Sequence, residues 1–122
     1  MATKSKKTLV RQEKTRLENL YADLPERERI MAAGLIENAA FMRAELAELA
    51  ADIAANGWTE MFSQGNQAPY ARARPNGQTY TSLEEKYKKT MDSLRAMLPP
   101  DKAALVDEPD GFDDFLSRRD GP

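Results

Sequence analysis

Eight cations in this chain stand where contact with a nucleic-acid backbone would need them. Lys4, Lys6, Lys7, Arg11, Lys14 and Arg16 crowd the first sixteen residues against one acid, Glu13. Such a cluster neutralises phosphates and releases their counterions. Arg72 and Arg74, with Tyr70 beside them, add a second candidate contact. The alternative for the basic head is a solvated surface. For Arg72 and Arg74 it is solubility or pairing with Glu60. The other end reverses the sign, with seven acids against three cations in residues 101–122. Inside that stretch Phe112, Phe115 and Leu116 fall at i, i+3 and i+4. They read either as anchors of a short peptide that folds onto a groove of another protein, or as incidental apolar residues of a solvated tail.

Bond-making chemistry is poorly provided for. Histidine and cysteine are both absent, which removes the commonest general base, the commonest zinc ligands and all thiolate chemistry. No GxxxxGK[ST] phosphate loop and no D-x-D-x-D-G calcium loop is present. The pair Asp113-Asp114 sits in a linker-like stretch, which cannot preorganise a site. The expectation is a chain that is not an enzyme and takes no cofactor or metal. No apolar run approaches the length of a membrane span, and the lysine-rich start lacks the apolar segment of a secretory signal. A cytoplasmic setting is the default.

The element that positions everything else is Pro25–Asn56, read as one long helix. Glu26 and Glu28 suit its first turn, and Gly57 suits its stop. Leu35, Ala39, Met42, Leu46, Leu49 and Ile53 alternate spacings of four and three, a coiled-coil-like seam. A second stripe of Ile36, Ala40, Ala47, Ala50 and Ala54 packs within the monomer or against a neighbouring subunit. Phe41 projects from neither stripe, among Glu37, Glu45 and Glu48. It packs on the preceding helix or anchors an interface.

Before that helix, residues 1–7 are expected to be disordered until bound. A short helix then runs from Thr8 to about Ala22, with Leu9, Val10, Leu17, Leu20 and Tyr21 on one side. Asp23-Leu24-Pro25 makes a tight corner. After it, Trp58–Phe62 and Tyr70–Arg74 have strand-like composition around a Ser63–Gln67 turn. They predict a small β-hairpin or an ordered loop, pinned to the helix ends by Trp58 and Tyr70. A third helix is expected from about Gln78 to Leu98, with Tyr80, Leu83, Tyr87, Met91, Leu94 and Leu98 inward. Glu84–Lys88 and Glu85–Lys89 are oriented as i,i+4 pairs on its outer side. Pro99-Pro100 ends it.

The fold class is therefore all-α. Residues 1–24 form a basic arm and short helix, and 25–100 a long antiparallel helical hairpin with an inserted loop at 57–77. Residues 101–122 form a disordered acidic tail. The core is small and built largely of Leu, Met, Ile and Ala, so self-association is a natural source of further burial.

A resemblance adds to this. Leu35-Ile36-Glu37-Asn38-Ala39-Ala40-Phe41-Met42-Arg43, then Asn56-Gly57-Trp58, the Gln64-Gly65-Asn66-Gln67 turn, Tyr80, and Tyr87 through Leu98-Pro99 resemble the small subunits of tailed-bacteriophage terminases. Asp110-Gly111-Phe112-Asp113-Asp114-Phe115 is similar to the end of such proteins. The likeness covers roughly residues 21–118 and is one of overall pattern. It implies a DNA-packaging factor of the bacterial host cytoplasm that assembles into homo-oligomeric rings and binds double-stranded phage DNA. It also implies delivery of that DNA to a large subunit holding the ATPase and nuclease. The stretch before Pro25 is too short for the three-helix DNA-binding domain common in that family, so phosphate contacts are expected rather than base reading. The competing expectation is a helical adaptor that works through coiled-coil and tail-peptide contacts without nucleic acid.

Overall fold

The computed structural model describes residues 5–107. Helix α1 spans Lys6–Leu20, opened by Ser5, whose hydroxyl accepts from the Thr8 N–H. Helix α2 spans Glu26–Asn56, with Pro25 just outside its first turn. Strands β1 (Thr59–Phe62) and β2 (Tyr70–Ala73) form the expected antiparallel hairpin, in the register Thr59–Ala73 to Phe62–Tyr70. Helix α3 spans Pro75–Ala96. It starts three residues earlier than its apolar spacing predicts, because Pro75 needs no N–H partner in a first turn. Gly57, at φ 81°, ends α2 in the left-handed region open to glycine.

Helix α2 is the axis. Its 31 residues run about 46 Å. Helix α3 returns antiparallel along the predicted seam. In that seam Ala39, Met42, Leu46 and Ile53 are buried, and Leu35 and Leu49 are half-buried. Helix α1 lies antiparallel on the N-terminal half, tethered where Lys6 meets Glu45 at 2.8 Å and Glu48 at 3.0 Å. Within the reach of α1, Ile36 and Ala40 of the second stripe are buried. Beyond it Ala47, Ala50 and Ala54 are exposed. The stripe is thus divided, its first half serving the monomer.

The core gathers Leu17, Tyr21, Ala32, Ile36, Ala39, Met91, Leu94, Leu98 and Val106. Tyr21 sits at its centre and donates its hydroxyl to the Leu94 carbonyl. Burial pushes that hydroxyl's pKa up to about 12, so it remains a donor. Val106 is a correction to the expected tail. Residues 100–107 fold as a one-turn helix α4 (Pro100–Ala103) and a 3₁₀ turn (Ala104–Asp107). They close the open end of the bundle with a fully buried Val106. Their acidic composition hid two apolar contacts, Ala103 and Val106.

Leu94→Ala removes a fully buried side chain where α1, α2 and α3 converge, and should cost about 2–5 kcal/mol. Ala54→Ser, on the exposed end of α2, should stay within about 0.5 kcal/mol. Urea unfolding followed by circular dichroism measures both.

Candidate nucleic-acid interface

The basic residues divide sharply by what lies within reach of each. On α1, Lys7, Arg11 and Lys14 occur at i, i+4 and i+7, and all three are exposed. None forms an ion pair with another described residue. The spacing aligns them along one flank of the helix over about 10 Å.

The other described cations of that set serve the fold. Lys6 bridges Glu45 and Glu48, and its hydrogen bond to Glu45 is the main reason its ammonium is held above its ordinary value. Arg16 is a correction to the predicted basic patch. Its guanidinium pairs with the buried Glu13 and donates to the carbonyls of Leu105 at 3.4 Å and Val106 at 3.0 Å. It therefore fastens the closing 3₁₀ turn to α1. Arg72 donates to Glu60 at 2.8 Å and lies 3.6 Å above the Phe62 ring, the pairing with Glu60 that the sequence left open. Arg74 is a second correction: it donates to the Gly57 carbonyl at 2.6 Å and to Asp52 at 2.7 Å.

Asp52 is the hub of that end. It accepts from Arg74, from Asn76 at 2.8 Å and from Asn56 at 2.8 Å. The Asn76, Asn56 and Arg74 donors favour the charged form and hold its carboxyl down at about 2. One side chain thus joins the last turn of α2, the end of β2 and the first turn of α3. Trp58 completes the joint. Its ring stands 2.9 Å from where a Cβ on Gly77 would be, and it meets Tyr80 edge-on. The sequence reading of Trp58 as a pin holds. Tyr70 instead packs on Phe62 within the hairpin.

Three further expectations can be placed. Phe41 stands outside both stripes, as its spacing indicates, and is 56% exposed. The pairs Glu84–Lys88 and Glu85–Lys89 do not close to ion-pair distance, as suits exposed side chains whose ordering offsets a weak attraction. That leaves Lys86, Lys88 and Lys89 as exposed cations on α3, and the sequence reading singled out none of them for contact. Lys4, Phe112, Phe115 and Leu116 lie outside the described residues. Among the described residues no helix is long and apolar enough to cross a membrane. Comparison of the chain with family models, curated proteins and solved structures finds no match.

The depressed Asp52 carboxyl fixes a pH dependence. Its contribution to stability is complete above the unfolded-state value of 3.8 and is lost as pH falls through about 2. Asp52→Asn should remove that part of the acid transition. It should also free the hairpin, seen as faster amide exchange at β1 and β2, with the exchange of α1 unchanged.

Proposed function

We propose that this chain is a DNA-packaging factor of the terminase small-subunit kind. It self-associates, binds duplex DNA through the basic flank of α1, and recruits a large ATPase-nuclease subunit through its C-terminal segment. The observation that carries the DNA part is the Lys7–Arg11–Lys14 stripe: three exposed cations in line, with no acid of the described chain paired to them. A single helix flank reaches phosphates without entering a groove, so the binding is by backbone contact and depends steeply on salt. The resemblance of residues 35–43, 56–58 and 87–99 to terminase small subunits supports the same reading.

The adaptor reading keeps one specific observation in its favour. Of the eight cations that suggested nucleic acid, Lys6, Arg16, Arg72 and Arg74 are engaged within the chain. That reading predicts self-association without any response to DNA.

Fluorescence anisotropy on duplex DNA across a salt series separates the two. The K7A/R11A/K14A variant should bind at least tenfold more weakly at low salt. Its log–log salt slope should be shallower by about 2.7, three phosphate contacts at about 0.9 each. Unchanged affinity and slope would defeat the DNA reading. Deleting residues 108–122 should abolish co-purification with the large subunit while leaving DNA binding in place.

A further inference from the structure

Helix α2 carries a third face that lies outside the buried core. Ile30 is 68% exposed, Met31 62% and Phe41 56%. Gly34 lies between them, with nothing within 4 Å of where its Cβ would stand. A glycine inside a helix weakens it relative to alanine, and no close approach within the chain calls for one here. Arg27, Met31, Gly34, Asn38, Phe41 and Glu45 recur at alternating spacings of four and three. That is the seam along which a second helix packs.

The seam is complementary to itself when reversed. With two copies of α2 antiparallel about residue 36, Arg27 meets Glu45, Met31 meets Phe41, and Gly34 meets Asn38. Sulfur meets aromatic ring, the missing side chain admits the amide, and the charges are opposite. The charge match has a local basis. Glu45 and Glu48 share the single cation Lys6, so the cluster keeps a net negative charge. Arg27 is exposed and makes no ion pair with a described residue.

We infer that α2 pairs with α2 of a second copy through this face, antiparallel and isologous. The pairing gives surface and symmetry to the self-association proposed above and owes nothing to DNA binding. An isologous contact closes on itself as a dimer, so any larger assembly is built from dimers.

The natural chain has no cysteine, so introduced ones report cleanly. The full-length R27C/E45C variant keeps Met31, Gly34 and Phe41, and its two thiols are too far apart on one helix to join each other. Mild oxidation should give a covalent dimer and nothing larger, while R27C alone and E45C alone stay uncrosslinked. A ladder of larger species, a dimer from R27C alone, or no cross-link in the double variant would overturn the pairing. Light scattering should give an even number of subunits for the wild type. F41E should dissociate at least tenfold more readily with an unchanged helical spectrum, since Phe41 is more than half exposed and lies outside the buried core. A monomeric wild type at about 100 μM, or an odd-numbered assembly, would equally end it. Cross-linking that persists in a chain unable to bind DNA would fault the DNA reading alone.

Discussion

Close approach to α2 is the constraint from which the rest of this structure follows. Ala32, Ala39, Ala40 and Ala44 are essentially without exposed surface. Side chains that small let neighbouring helices lie near the α2 backbone, and large groups of those neighbours pack beside Ile36, Met42, Leu46 and Ile53 of α2 itself. Leu17 and Tyr21 enter from α1, Leu94 from α3 and Val106 from the closing turn. The core therefore joins side chains of α2 to those of α1, α3 and the closing turn. Its density depends on all of them being present together, because none can bury its surface alone.

That arrangement explains why so many charged groups act as fasteners. A core this small cannot by itself orient a four-residue helix, a 3₁₀ turn and an isolated two-stranded hairpin. Arg16 reaches across the open end to the carbonyls of Leu105 and Val106. Arg95 reaches Asp92 and Asp107 at the same end, and Lys102 reaches Asp23. At the opposite end Asp52 collects Asn56, Arg74 and Asn76. Each fastener lies at the margin of the apolar core, where a polar contact retains directionality without the full cost of burial.

The same division of labour shapes the surface. Once Lys6, Arg16, Arg72 and Arg74 are committed inward, the positive charge left on α1 is confined to one flank. Most of the surplus apolar area lies on α2, at Ile30, Met31 and Phe41, and at the hairpin, at Trp58, Met61 and Tyr70, with Leu105 exposed on the closing turn. Two surfaces of opposite character on adjoining helices would let the proposed self-association and the proposed phosphate contact proceed without competing for the same residues.

Much of the architecture was legible in the residues themselves. The corner at Asp23–Pro25, the stop at Gly57, the turn at Ser63–Gln67 and the seam from Leu35 to Ile53 are local properties. Proline and glycine restrict the backbone within a residue or two, and apolar spacing reports a helix face over a few turns. What only the tertiary structure decided was the fate of groups whose partners are remote in sequence. Arg16 finds carbonyls about ninety residues away, and Lys6 finds acids about forty away. Val106 enters a core from within a stretch whose composition reads as linker, and Phe41 is left outside because α1 covers the other flank of α2. A charge's spacing along the chain says where it points on its own helix. Whether it meets water, phosphate or a carboxylate depends on which helix lies opposite, and that is settled by the packing of alanines.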